Sequence, residues 1–137
     1  MILLDTGYLI ALVDPRDELY ERARRWMRAV APPFLVTEYV LWETANLLSA
    51  PPERRKAVSM IEQLRSAPRC EVVDASPKLF GAGMDLFRRR PDKHWSLTDC
   101  VSFSVMQERR ITDALAFDVH FEQAGFKALL RYEPPEN

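Results

Sequence analysis

The sequence predicts a single α/β domain in three layers, with a central, mostly parallel sheet of about five strands flanked by helices on both sides. Three observations lead there. Short apolar runs of strand length recur along the chain, beginning at Met1-Ile-Leu-Leu. Between them lie stretches whose apolar residues return every three or four positions, the spacing of a half-buried helix. Proline and glycine punctuate the joins. Strands alternating with helices are the pattern of a parallel sheet with right-handed crossovers. At 137 residues the chain suits one domain with a substantial core.

Ile2 to Asp5 reads as the first strand. It is apolar on both faces, so it belongs in the middle of the sheet, with Asp5 at its carboxyl end. Open α/β sheets place their ligands at that edge. Gly7 to Val13 is a short apolar helix closed by Asp14-Pro15. Asp17 to Val30 is a helix with Leu19, Ala23, Trp26, Met27 and Val30 on one side and Arg22, Arg24, Arg25 and Arg28 on the other; Ala31-Pro-Pro33 ends it. Phe34–Thr37 is the second strand. A helix from Glu38 to about Ser49 follows, with Val40, Leu41, Ala45, Leu47 and Leu48 as its apolar side and Trp42 assigned to the core together with Trp26. Pro51-Pro52 breaks the chain before a helix carrying Ala57, Met60, Ile61 and Leu64. Glu71–Asp74 is the third strand. Ser76-Pro77 starts a helix that runs to about Arg90, serine as the cap and proline in the first turn. Pro91 to Trp95 is a loop. Ser96-Leu-Thr-Asp99 opens the next helix, to about Arg109. Ala114–Phe117 is the fourth strand, ending at Asp118; His120 to Ala124 is a helical turn stopped by Gly125; Ala128–Arg131 is the fifth strand. Residues 1–132 make the domain, and Glu133–Asn137 is expected to be a frayed tail.

Composition excludes several classes. Net charge is −1, so no global positive field announces nucleic acid, and a nucleic-acid site has to be local or work through metal ions. No apolar run reaches the length of a membrane span and no signal-peptide pattern is present, which with Cys70 and Cys100 as free thiols points to the cytoplasm. His94 and His120 stand alone, outside any zinc-spaced set.

What remains is carboxylates. Asp5 and Asp118 each follow an apolar strand and so share one sheet edge. Asp99 lies in the first turn of a crossover helix, and Glu43 in the helix after the second strand. All four can meet in one cleft. Four carboxylates together repel unless something compensates, and hard divalent cations do so with oxygen ligands. Each acid also has a plain reading. Asp99 completes a Ser-x-x-Asp capping box with Ser96, Asp5 and Asp118 cap the helical turns after their strands, and Glu43 is a solvated helix residue. Capping and cation binding are compatible. Thr6, Asn46 and Thr98 are candidates to hydrogen-bond the ligand carboxylates from behind; local caps, and a surface position for Asn46, are the plainer roles.

The stretches Leu-Leu-Asp-Thr-Gly-Tyr-Leu-Ile-Ala-Leu (3–12), Leu-Trp-Glu-Thr-Ala-Asn-Leu-Leu (41–48), Ser-Leu-Thr-Asp-Cys-Val-Ser-Phe (96–103) and Ala-Phe-Asp-Val-His-Phe-Glu-Gln-Ala-Gly-Phe (116–126) together resemble the PIN domain. This is a family of metal-dependent ribonucleases, and within it the resemblance is to the VapC-like toxins of bacterial toxin–antitoxin pairs. The resemblance spans almost the whole chain in the family's order. It implies that Asp5, Glu43, Asp99 and Asp118 are the catalytic acids and that Asp5, Asp99 and Asp118 hold one or two Mg²⁺ or Mn²⁺. It further implies a water attacking an RNA phosphodiester, a homodimer, and a small antitoxin blocking the acidic cleft. Gly7 stands where the family often has a small hydroxyl or amide residue, and Val119 where close relatives often carry arginine; neither removes a carboxylate.

RNA contact candidates are Arg88, Arg89, Arg90, Lys93, His94 and Trp95, just before the Asp99 helix, and secondly the arginine face from Arg22 to Arg28; solvated helix faces, and for Trp95 a core or interface anchor, are the plainer roles. The alternative function on the same fold is a catalytically silent module that binds RNA or protein. A receiver-type signalling domain also gathers carboxylates at a sheet edge, but Lys127 comes too late for its lysine and Asp74 is its one acceptor candidate. A dehalogenase-type phosphatase needs a second aspartate where Gly7 stands.

Overall fold

A computed structural model describes residues 1–136 of the chain. The elements run β1 (Ile2–Leu4), α1 (Thr6–Val13), α2 (Tyr20–Ala29), β2 (Phe34–Thr37), α3 (Glu38–Leu47), α4 (Glu53–Ser66), β3 (Cys70–Val73), α5 (Pro77–Arg89), α6 (Leu97–Arg109), β4 (Asp113–Leu115), α7 (Val119–Gln123) and β5 (Lys127–Ala128), with a 3₁₀ turn over Leu129–Arg131. The five strands form one sheet in the order β3-β2-β1-β4-β5, every pair parallel.

The period-two alternation of the strands divides the core into two clusters, one on each face. Leu3, Leu35 and Ala114 point to one side, where they meet Cys100, Phe103 and Met106 of α6 and Phe121 of α7. Leu4, Val36 and Leu115 point to the other, where they meet Leu9 of α1, Trp26 of α2 and Val40 of α3. The expected three layers follow from that alternation. From β1 the chain winds outward through β2 to β3 with α1–α4 on one face. It then crosses to β4 and β5 with α5–α7 on the opposite face. The order therefore reverses between β1 and β4, and a crevice opens at the carboxyl ends of these two strands.

Local chemistry starts the helices where the sequence predicts. Thr37 Oγ1 accepts from the Val40 N–H, and Ser76 Oγ from the Leu79 N–H. Ser96 and Asp99 form a reciprocal capping box on α6.

Three expectations are corrected. The fifth strand is only two residues long. Leu129 and Leu130 are buried in the 3₁₀ turn instead, where the Leu130 N–H donates to the Ala116 C=O (3.0 Å) and carries the β4–β5 pairing onward. An apolar pair with no partner strand beyond it satisfies its backbone by tightening. Trp42, assigned to the core, is 74% exposed, and Leu47 is exposed too; the inward face of α3 is Val40, Leu41 and Thr44, with Leu48 at its cap. Helical phase decides this, because position 42 lies beside Leu41 in sequence and turns away from it in space. Asp5 sits outside β1, at the N-cap of α1.

Glu133, in the tail expected to be frayed, accepts from Arg22 Nη2 (2.9 Å) and Arg25 Nη1 (2.6 Å), and the Trp26 indole donates to the Tyr132 C=O (3.0 Å). Asn137, the end of that tail, lies outside the described residues.

Candidate active site

Four elements deliver the predicted acids to the crevice between β1 and β4. Asp5 follows β1 directly, and its N–H donates to the Leu115 C=O (3.2 Å), which locks it to the end of β4. Its backbone is extended, as an N-cap requires, yet its side chain makes no capping bond to α1. The residue is 8% exposed, and its carboxyl group is left without that donor. Burial pushes it up to about 8; the negative charges of Asp99, Glu43 and Asp118 add to the rise, against a Thr6 N–H that lowers it. That three other acids bear on one buried carboxyl expresses the geometry of the site.

Asp99 is oriented from both sides. Its Oδ2 accepts from the Ser96 N–H (3.1 Å), and the same oxygen lies 3.0 Å from His120 Nδ1. Burial raises its pKa, while the Ser96 N–H and His120 work against the rise. Asp118 caps α7 through the His120 N–H (3.3 Å), and its Oδ1 lies 3.3 Å from His120 Nδ1. Glu43 projects from the second turn of α3, half-buried, with no hydrogen bond to its carboxylate among those of the described residues. Asp99 and Asp118 both cap a helix, as their plain readings expected, and both also line the cleft.

The cleft has a volume of about 980 Å³. Asp5, Thr6, Glu43, Asp99 and Asp118 line it, as does His94 from the RNA-contact candidates, and so do residues that sequence reasoning left out: Asp17, Glu18, His120 and Arg131. His120, taken as a lone histidine, bridges Asp99 and Asp118. The signal for it was its position two residues after Asp118, inside the turn that Asp118 caps. Arg131 had no signal, because it reaches the cleft only through the 3₁₀ turn.

Other candidates fall elsewhere. Asn46 and Thr98 line a separate groove with Trp42 and Tyr39, which Glu43 borders from its other side. Trp95, a candidate base-stacking residue, is 5% exposed. Its ring meets Phe103 edge-on at 5.1 Å, its indole donates to Gln123 (3.0 Å), and Arg90 lies over it at 5.1 Å. A ring so enclosed anchors the loop and has no free face for a base. Arg88 pairs with Asp85, Arg90 forks to Asp92, and Lys93 lies 4.0 Å from Asp92; none of these, nor Arg89, lines the cleft. On the second arginine face, Arg22 and Arg25 are engaged by Glu133.

The donor set suits a hard cation. It consists of carboxylate oxygens, with the Thr6 hydroxyl buried beside Asp5 and lacking a hydrogen-bond partner. Among the described residues, no three acid, histidine or cysteine side chains are gathered closely enough to enclose an ion unaided. That is compatible with Mg²⁺, which commonly takes one or two protein carboxylates and keeps several waters.

Comparison with known proteins gives a consistent answer. The family model described as PIN domain matches residues 2–127. The 23S rRNA-specific endonuclease VapC20 of Mycobacterium tuberculosis is 32% identical over 127 residues, covering 92% of this chain and 95% of that protein. The crystal structure of M. tuberculosis VapC20, described as a sarcin–ricin loop cleaving toxin, superimposes with a TM-score of 0.86 at 28% identity, over 94% of this chain and 98% of that one. FitAcB from Neisseria gonorrhoeae shares the fold at a TM-score of 0.66 and 16% identity, covering 93% and 95% of the two chains. FitAB bound to an IR36 DNA fragment does so at 0.63 and 15%, covering 93% and 92%.

Proposed function

The chain belongs to the PIN domain family, and from that premise we propose that it is an endoribonuclease of the VapC kind, the toxin of a toxin–antitoxin pair, hydrolysing an RNA phosphodiester with one or two Mg²⁺ or Mn²⁺. The observation that carries this reading is the buried Asp5 carboxyl, raised to about 8 amid three further acids at the reversal point of a parallel sheet. A carboxyl so strongly perturbed by burial and by neighbouring charges in a cleft marks a candidate functional site.

Asp5 and Asp99 are the principal ligands in this reading, Asp118 the third, and Glu43 assists directly or through water. Asp5 has no side-chain capping bond to lose and would give up its proton on taking a cation. Asp99 is held ready by the Ser96 N–H and by His120, which also fixes Asp118. Thr6 offers its unpartnered hydroxyl to the ligand set. A bound cation supplies Lewis acidity toward the phosphate and lowers the pKa of water at the site. The surrounding acids repel RNA until cations neutralise them, so cleavage is expected to demand the metal absolutely.

The relatives make 23S rRNA, and its sarcin–ricin loop, the first substrates to try. The protein is expected to cut a hairpin of that sequence with Mg²⁺ or Mn²⁺ and to stop in EDTA. Asp5→Asn and Asp99→Asn are each expected to abolish cleavage with the fold intact. Full activity in either pure variant refutes the assignment. A homodimer, an antitoxin segment filling the cleft, and a cytoplasmic setting complete the reading; no helix among the described residues is long and apolar enough to cross a membrane. A silent binding module is the second reading, favoured by the open spacing of the acids; RNA binding without cleavage in any divalent metal would select it.

A further inference from the structure

Among the described residues lining the acidic cleft, six are aspartate or glutamate and a single one is lysine or arginine: Arg131. An RNA strand has to bring several phosphates to this rim, beyond the one at the centre. Metal ions would answer for the central phosphate, and a fixed cation at the edge is the strongest means of answering for a neighbour. Val119, exposed at the same mouth, brings no charge.

The Arg131 side chain is exposed but not loose. The Leu130 N–H donates to the Ala116 C=O (3.0 Å), which sets the 3₁₀ turn alongside the strand end that leads to Asp118. One residue on, Arg131 Nη1 donates to the Phe117 C=O (2.9 Å), and the guanidinium carbon lies 5.1 Å from the centroid of the Phe117 ring. A guanidinium fixed by one hydrogen bond and one aromatic face has lost most of its rotamer freedom in advance. It carries five N–H donors in a rigid fork, and this one bond leaves most of them for an oxyanion. No carboxylate of the described residues takes them: Arg131 forms no ion pair, whereas Arg16, Arg22, Arg25, Arg88, Arg90 and Arg109 each do.

We propose that Arg131, backed by Phe117, is a phosphate-binding residue that positions the RNA backbone on the rim of the acidic cleft, next to the bond to be cut. This rests on the reading of the cleft as a ribonuclease site. The competing role is purely structural, a brace between the C-terminal turn and the Phe117–Asp118 backbone.

The test compares wild type, Arg131→Met and Arg131→Lys on the sarcin–ricin hairpin. Affinity is read by fluorescence anisotropy in the cleavage-blocked Asp99→Asn background across a salt series. kcat is read in the proteins that retain Asp99, and folding by urea denaturation. Arg131→Met is expected to weaken RNA binding roughly tenfold, the loss of one charged hydrogen bond. It is expected to flatten the slope of log K against log salt by about 0.7, the value of one phosphate contact on single-stranded RNA. kcat is expected to stay within about threefold, since the cations and carboxylates are untouched. Arg131→Lys is expected to restore the slope and only part of the affinity, a point charge replacing a fork. Unchanged affinity and slope in Arg131→Met, in a protein whose wild type cleaves, overturns the proposal and leaves the function standing. A lower urea midpoint and kcat with an unchanged slope also overturns it, in favour of the brace. A wild type that neither binds nor cuts the hairpin overturns both.

Discussion

Replacing Asp5 by asparagine is expected to stabilise the metal-free protein while destroying its activity. Folding lifts the Asp5 carboxyl from the ordinary 3.8 to about 8, chiefly by burial and then by the charge of Asp99. The native state therefore holds a proton that the unfolded state releases at acid pH. Stability from this group is fully present below about pH 4 and is lost as pH rises toward 8. At roughly 1.4 kcal/mol per pH unit, the ionised group costs the native state on the order of 5 kcal/mol. Asparagine has nearly the same shape and never ionises. The stability gap between Asp5→Asn and wild type is expected to widen by roughly 3–4 kcal/mol between pH 5 and pH 8. That is about 2 M in urea midpoint for a slope typical of small domains. The difference between the two proteins is the quantity to follow, because Glu71 and Glu133, whose pKa values are lowered by arginine partners, titrate in both alike. Urea denaturation in EDTA at pH 5, 6, 7 and 8 measures it, and saturating Mn²⁺ is expected to raise the wild type and leave the variant where it was. A gap independent of pH, or an Asp5→Asn protein less stable at pH 8, refutes the reasoning and makes the carboxylate a structural group.

Three further outcomes follow from the packing. A Cβ at Gly83 would lie 2.5 Å from Val101 Cγ2, where α5 packs on α6, so Gly83→Ala is expected to destabilise by about 1–3 kcal/mol and Val101→Ala to recover part of that in the double variant, read by urea midpoints. Ser96→Ala removes half of the capping box that also steers Asp99; a loss of about 1 kcal/mol is expected, with a larger proportional fall in cleavage than in RNA affinity. Trp42→Ser is expected to leave the folding of the monomer within about 0.5 kcal/mol, while Trp26→Ala, which empties a buried site and drops the bond to Tyr132, costs about 3–5 kcal/mol. Sedimentation of Trp42→Ser tests, in the same preparation, whether this exposed ring is part of a dimer surface.

Much of the fold was legible because its signals are local. The all-apolar Ile2–Leu4 can be buried on both sides only in a central strand, and β1 is indeed the middle of five. Ser76-Pro77 and Ser96-x-x-Asp99 started their helices because capping needs only residues within one turn. Trp42 was misplaced because a tryptophan beside apolar neighbours reads as core, and a helical phase error of one position turns a side chain by about 100°. The fifth strand was read too long because apolar character cannot distinguish a strand from a buried turn of similar length.

For the site, the chain by itself supplied the groups that are able to bind a cation. An aspartate after each of two buried strands, an aspartate in a capped first turn and a glutamate one helix away form an oxygen-donor set wherever they meet, because residue type and strand direction are written in the sequence. Only the tertiary structure decided what surrounds them. Asp5 is costly because β4 and three other acids close over it, His120 stops being solitary because α7 turns it between Asp99 and Asp118, and Trp95 is enclosed by Phe103 and Arg90. Arg131 enters the cleft because the 3₁₀ turn is hydrogen-bonded to the end of β4. Contacts such as Asp5 with Leu115 and Asp99 with His120 join residues far apart in the chain, and burial and electrostatic coupling depend on distance through space, which no local spacing encodes.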